Sequence, residues 1–361
     1  MLIEAALVES PGGPFTPREV EIEAPRSDEV LVRLAAAGIC HTDLTMRRSW
    51  RPALLPMVFG HEGAGVVEAV GSGVTTVAPG DPVCLTFRSC GTCPQCRGGH
   101  PAYCLRSDLN MRGVRADGSS PLSRDGSTVF GNFFGQSSFA TFALAYERNT
   151  VPLTAGISPV LAAPLGCGVQ TGAGTVLNTL DAEPGMSLIV FGAGGVGLSA
   201  VMAAVAVGCA VIVVDPVPAR RTLACELGAA DALDPATPGL VRELRRLTGG
   251  GAHHAIDTTG RGEVIGQAVG TVRRRGTLAL VGMGGRAEVD IMTVLTNGIR
   301  VRGVVEGDAV PSDFLPKLID LHRRGLLPVQ RLVTEYPFAE IETAARDAAA
   351  GRVIKPVLTF G

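Results

Sequence analysis

Residues 1 to about 37 alternate apolar and polar side chains, as in Val30-Leu31-Val32-Arg33-Leu34, with Pro-Gly punctuation between the runs. A period of two predicts strands joined by tight turns. The same character continues in Gly65-Val66-Val67-Glu68-Ala69-Val70-Gly71, in Pro82-Val83-Cys84-Leu85 and again from Ser138 to Leu144. Between them Arg88 to about Asp125 is loop-rich and carries four cysteines. From about Pro164 the pattern changes. Short apolar runs (Ser187–Phe191, Ala210–Asp215, Ala255–Asp257, Thr277–Gly282) now alternate with longer helical stretches (Val196–Val207, Arg220–Leu227, Leu240–Leu247, Val264–Val272). That alternation predicts right-handed crossovers and a parallel sheet, hence an α/β class. The tail adds an amphipathic stretch, Phe314–Arg324, and a final strand, Ile354–Phe360.

At 361 residues the chain is too long for one ordinary core, and two domains are expected. Hydrophobic residues make up 46% and glycines number 47, which suits a compact fold rich in turns. A formal net charge of −2 leaves no basic footprint for nucleic acid. The opening MLIEAALVESPGG has neither a basic n-region nor a cleavable apolar segment, so the expectation is a cytoplasmic protein. Nine cysteines then point to metal or catalysis rather than to disulfides. The uncharged run Met186–Val214 is long enough to span a bilayer, but its glycines have a better explanation, and no membrane partner is expected.

That explanation is Gly192-Ala193-Gly194-Gly195-Val196-Gly197, a G-x-G-x-x-G at a strand-to-helix junction. Its glycines allow a tight turn, close approach of a pyrophosphate and close helix–strand packing. The exposed amides and the helix dipole favour the anion. Asp215 follows the next apolar run about 20 residues on, where a carboxylate accepts from a ribose 2′-hydroxyl and repels a 2′-phosphate, favouring NAD over NADP. Arg220 and Arg221 lie close enough to line the adenosine ribose or to tolerate a phosphate. The plainer alternative is that the glycines serve packing alone and Asp215 caps a helix.

Cys90, Cys93, Cys96 and Cys104 form C-x2-C-x2-C-x7-C. Four thiolates close a tetrahedral zinc site with no open position, a structural metal; iron–sulfur ligation fits the spacing as well. Cys84, Cys209 and Cys225 sit in apolar contexts and are expected to be buried core thiols. A second constellation lies between Gly38 and Glu62: Cys40, His41, Thr42, Asp43, His61 and Glu62. Thiolate plus imidazole suits zinc, and three protein ligands leave a fourth position for substrate. Cys167, in Leu165-Gly166-Cys167-Gly168, is the best candidate for the third ligand.

Taken together, these pieces resemble the zinc-dependent medium-chain alcohol dehydrogenases over essentially the whole chain. The matching segments are Gly38-Ile-Cys-His-Thr-Asp43, Gly60-His-Glu-Gly-Ala-Gly65, the four-cysteine lobe, Gly166-Cys-Gly168, the glycine loop with Asp215, and Lys355-Pro356-Val-Leu-Thr-Phe360. Within the family, Phe134-Gly-Gln-Ser-Ser-Phe-Ala140, Leu165–Gly174 and Val304-Val-Glu-Gly-Asp308 are similar to aryl (benzyl) and allylic terpene alcohol dehydrogenases.

The resemblance implies a GroES-like β-rich catalytic domain (1–167 and 308–361, with a structural-zinc lobe at about 88–125) and a doubly wound Rossmann domain (168–307), with the active site between them. It implies two zinc ions per chain. Cys40, His61 and Cys167 would hold the catalytic one, Asp43 would orient His61, and Glu62 would ligate transiently. Thr42 would pass on the alcohol's proton. His41 and Lys355 would face the cofactor pyrophosphate, and Arg220 and Met283 other parts of NAD. Relatives often end the proton relay in a histidine five residues after Cys40. Thr45 stands there in this chain, so the relay is expected to finish in water or in His41.

An apolar pocket is expected from Thr42, Phe87, Phe134, Met283 and Val305, which suits a benzylic or allylic primary alcohol. A polyol or thiol-adduct dehydrogenase is the competing enzyme reading, and a catalytically silent NAD(P)-binding module the reading from another class. Val289–Arg302 is expected to extend a sheet across a two-fold axis, giving a homodimer or homotetramer. His253 and His254 are assigned nothing beyond surface or strand-edge positions.

Overall fold

The computed structural model describes residues 1–153 and 156–361. They divide into two compact units: Met1–Cys167 with Val310–Asp320 and Val329–Gly361, and Gly168–Ala309 with Leu321–Pro328. One detail corrects the expectation that 308–361 belongs wholly to the first unit. The turn after the helix Pro311–Arg323 packs within the second, where Leu327 is fully buried and its carbonyl meets His322 Nδ1 at 3.0 Å.

The first unit holds two sheets. One runs Met57–Val58, Leu2–Val8, Thr16–Ile22, Leu122–Arg124, Ser127–Val129. The other runs Thr150–Pro152, Pro82–Leu85, Gly63–Val70, Glu29–Gly38, Lys355–Thr359, Val333–Pro337. Phe142–Tyr146 also pairs with Glu29–Arg33. This last strand starts four residues later than the alternation at Ser138 suggests. The reason is local: Ser138 and Phe139 spend their amides on the Gly60 and Phe59 carbonyls instead. Phe15, Trp50, Phe59, Phe133 and Phe139 pack edge to face, with centroids 5.2–6.3 Å apart, and so concentrate the chain's few aromatics beneath one segment, Phe59–His61.

The second unit is a six-stranded, all-parallel sheet ordered Asp231–Leu233, Ala210–Val214, Ser187–Phe191, Ala252–Asp257, Val272–Leu280, Arg300–Gly303. Numbered along the chain this is 3-2-1-4-5-6, the doubly wound order, whose ligands sit beyond the carboxyl ends of the strands at the point where the order reverses. The uncharged run Met186–Val214 resolves into a strand, the glycine turn, the twelve-residue helix Gly195–Ala206 and a second strand. Among the described residues no single helix is long and apolar enough to cross a membrane; only the bent pair Pro159–Gly166 with Gly168–Thr179 reaches that length and apolarity together. The strand Val272–Leu280 begins five residues before the apolar pattern does, because Arg273, Arg274 and Arg275 are part of it. Most of the apolar residues expected to form an edge strand lie instead on the helix Ile291–Asn297. Only Arg300–Gly303 is the edge.

Candidate active site

Cys40 sits where the strand Glu29–Gly38 ends and the helix His41–Ser49 begins. Its extended backbone makes it the N-cap, so its own N–H needs a partner and finds Asp43 Oδ2 at 2.9 Å. The other oxygen of Asp43 accepts from the Gly60 amide at 3.1 Å and meets His61 Nδ1 at 2.9 Å. One fully buried carboxylate therefore fixes the backbone of one candidate ligand and the ring of another. Accepting from Nδ1 leaves the second ring nitrogen of His61 as the lone-pair donor. That atom, Nε2, is buried and has no hydrogen-bond partner.

The ring itself is clamped. Phe134 stacks on it at 4.5 Å and Phe133 meets it edge-on at 5.6 Å. Phe134 holds φ +52, Asn132 +72 and Ser137 +53, a run of left-handed residues unusual outside glycine. Such strain persists only where the surroundings over-determine it. Asn149 Nδ2 donates to the carbonyls of Phe134 and Gly135. Gln136 accepts from the Gly63 amide and donates to the His61 and Thr86 carbonyls at 2.9 and 3.0 Å. The sequence reading gave Gln136 no role. Its only signal there was membership of the Phe134–Ala140 segment.

One donor atom each from Cys40, His61, Glu62 and Cys167 lies within 4.8 Å of the others. The electrostatics of this group favour a cation. The Cys40 thiol lies well below the usual thiol range, because hydrogen bonding with Cys167, then His61 and Lys355, outweigh burial. Burial opposes a charge on His61, yet Asp43 and Cys40 hold its pKa well above the ordinary imidazole value. Two sulfurs, an imidazole with an unspent nitrogen and a neighbouring carboxylate form a donor set suited to zinc.

Glu62 is the member with a competing partner. Both of its oxygens accept from Lys355 Nζ, at 2.8 and 2.9 Å, and the same ammonium donates to the Ile39 carbonyl. Burial raises the Glu62 pKa against the pull of Lys355. Burial would lower that of Lys355, but Glu62 reverses it and the group stays charged. A carboxylate this deeply buried requires a counter-ion, and Lys355 supplies it.

Thr42 lies in the first helical turn, its hydroxyl 3.7 Å from Cys40 Sγ, and Thr45 is one turn further along the same face. His41 is exposed at the helix start. Phe87 and Phe134 are buried, whereas Met283 and Val305 are about half exposed in the second unit.

Cys90, Cys93, Cys96 and Cys104 also converge within 4.8 Å, with Cys90–Cys96 and Cys93–Cys104 sulfur separations of 4.0 Å. Tetrahedral Zn–S bonds of about 2.3 Å imply an S···S edge of about 3.8 Å, close to these values. The amides of Cys90 and Arg106 point at Cys104 Sγ and that of Cys93 at Cys90 Sγ, as expected around thiolates. Cys84 and Cys209 are buried as expected. Cys225 is exposed, because its helix Pro218–Glu226 buries only Ala224.

In the second unit each glycine of the loop has its own reason. Gly192 holds φ +96; a Cβ on Gly197 would strike the Gly192 carbonyl; a Cβ on Gly194 would meet nothing within 4 Å. The open face at Gly194 is the room a phosphate needs to reach the amides. Asp215 is buried at the end of Ala210–Val214 and accepts from the amides of Ala193, at 2.7 Å, and Val217, at 2.8 Å. Arg220 lies partly buried in the following helix, and Arg221 is tied to Asp234 at 2.9 Å. A dinucleotide therefore fits this turn.

Comparison with known proteins gives a consistent result. Residues 26–155 match the family described as alcohol dehydrogenase GroES-like domain, and residues 195–323 that described as zinc-binding dehydrogenase. The chain is 47% identical to a geraniol dehydrogenase of Castellaniella defragrans, covering 99% of this chain and 97% of that protein. Among solved structures, an alcohol dehydrogenase zinc-binding domain protein from Burkholderia ambifaria superposes with a TM-score of 0.98 at 46% identity, covering 100% and 99% of the two chains. The benzyl alcohol dehydrogenase of Acinetobacter calcoaceticus superposes with a TM-score of 0.96 at 40% identity over 100% of both.

Proposed function

The chain belongs to the zinc-dependent medium-chain alcohol dehydrogenases and is an alcohol-oxidising enzyme; we propose that it converts a benzylic or allylic primary alcohol reversibly to the aldehyde with NAD. The observation that carries this reading is the buried donor set around an unspent His61 Nε2. Cys40, His61 and Cys167 would hold zinc, which supplies Lewis acidity toward the alcohol oxygen. NAD, seated on the glycine loop with its ribose on Asp215, would accept the hydride. Asp43 keeps His61 in the ligating tautomer, and the Phe133–Phe134 clamp sets the ring's angle. Thr42 is placed to take up the alcohol proton and pass it on, since a hydroxyl relays a proton rather than keeping it. Lys355 holds Glu62 beside the ligands, ready to exchange with water or substrate. The four-cysteine lobe would hold a second, structural zinc. The relatives named for geraniol and benzyl alcohol support an allylic or benzylic substrate, as does the aromatic wall on His61. The exposed edge strand Arg300–Gly303, flanked by exposed Ile291, Met292 and Leu295, supports a homo-oligomer, which light scattering would reveal.

The test is reduction of NAD, with NADP in parallel, across benzyl alcohol, cinnamyl alcohol, geraniol and ethanol. Turnover of the first three with NAD, abolished by Cys40→Ser, is expected. Equal use of NADP would remove the Asp215 argument, and preference for ethanol would remove the substrate class.

A further inference from the structure

The amino ends of the parallel strands, opposite the glycine loop, line a half-open cavity of about 620 Å³ whose walls include His253, His254 and five arginines against two carboxylates, Asp181 and Glu183. His254, Thr277 and Arg300 stand in one register row across three strands, so their side chains share a face of the sheet. Two of the arginines are already engaged: Arg273 with the His253 ring, and Arg302 with Asp308 at 2.7 Å and the Thr179 carbonyl at 3.1 Å. Among the described residues Arg274, Arg275 and Arg300 have no carboxylate partner. Arg275 is moreover held at φ +61, a conformation that disfavours any side chain with a Cβ.

His254 adds a second, independent observation. Both of its ring nitrogens are buried and neither has a hydrogen-bond partner. Burial, followed by His253 and Arg300, brings its pKa down to about 4, so at neutral pH the ring is uncharged and offers one N–H. Unpaired guanidinium groups in one concavity repel one another, and an anion between them relieves that repulsion. The chain as a whole carries −2, so this patch is not part of a generally basic surface.

We infer that this cavity binds a small, multiply charged oxyanion of the phosphate class, held by Arg274, Arg275 and Arg300. Guanidinium forks match tetrahedral oxyanions bidentately, and the concave shape suits a small molecule rather than a polymer. The site lies at the opposite strand ends from the dinucleotide turn, so the two are occupied independently.

Calorimetric titration of the full-length protein with sodium tripolyphosphate at low salt, in the presence of NAD, tests this. One site per chain is expected. Arg274→Ala combined with Arg275→Ala is expected to weaken it roughly tenfold or more, while Arg18→Ala, in the first unit, leaves it unchanged. Both variants should keep wild-type alcohol oxidation, which shows that they fold. Absence of binding, equal affinity in the double variant, or binding displaced by NAD would each overturn the inference. Equally tight binding of citrate would overturn the phosphate class.

Discussion

Replacing Asp43 by Asn keeps the shape of the side chain and changes its hydrogen-bonding capacity, which isolates what the carboxylate does. In the native protein three donors converge on it: Cys40 N at 2.9 Å on Oδ2, and Gly60 N at 3.1 Å with His61 Nδ1 at 2.9 Å on Oδ1. An amide has one acceptor oxygen. Turned to serve Gly60 and His61, it sets its own N–H2 against the Cys40 amide, leaving a buried donor orphaned at a cost of about 1–3 kcal/mol. The two remaining bonds lose their charge assistance, roughly another 1 kcal/mol each. Turned the other way, the amide donates to His61 Nδ1 and drives the proton to Nε2, which abolishes ligation. Either way the domain loses on the order of 3–5 kcal/mol and the metal loses its pre-set ligand, worth about 10- to 100-fold in affinity. The assay is zinc content per chain after dialysis against graded chelator, with the four-cysteine site as internal standard, alongside thermal unfolding. One zinc should leave at a 10- to 100-fold lower chelator strength, roughly, while the other stays, and the melting temperature should fall by about 10 °C. Release of both ions at wild-type chelator strength with an unchanged melting temperature would refute the reasoning.

Four further outcomes follow from the same geometry. Gly194→Ala should fold normally and raise KM for NAD, because its Cβ meets nothing in the protein, whereas Gly197→Ala should unfold or express poorly because its Cβ strikes the Gly192 carbonyl; reversed phenotypes would discredit the phosphate-cradle assignment. Thr45→His, one turn from Thr42 on the same helix, should make the rate of alcohol oxidation less dependent on pH and buffer concentration; an unchanged pH-rate profile refutes the relay geometry. Arg115 makes a bidentate pair with buried Glu29 at 2.6 and 2.9 Å, so Arg115→Met should cost about 3–5 kcal/mol in urea unfolding by stranding that carboxylate. His254 has a folded pKa of about 4, below its unfolded value near 6.5. The unfolded chain therefore binds the proton more readily, and stability present above about pH 6.5 is lost as pH falls toward 4. His254→Gln should flatten that slope in melts recorded between pH 4 and 7.

The features legible in the sequence are those encoded by neighbours in the chain. The four thiols from Cys90 to Cys104, the glycine turn with Asp215 and the alternation of strand and helix all depend on spacings of at most a few tens of residues. Backbone periodicity and turn chemistry express themselves over that range. Cys40, Asp43 and His61 were legible for the same reason. What needed the folded chain was the choice of partner for groups brought together from far apart. Gln136 reaches the His61 carbonyl across 75 residues and Lys355 reaches Glu62 across 293. Nothing in the local text around Lys355 marks it as the counter-ion of Glu62, because burial of Glu62 is a property of the packed unit and not of either segment. The arginine triplet at 273–275 carried no strand signal either. Only the register of three parallel strands sets it beside His254 and Arg300, turning scattered surface charge into a lined cavity. Local sequence thus determined which chemistry the chain possesses; the low dielectric of the packed interior, where each charge must find a partner, decided how those groups are paired.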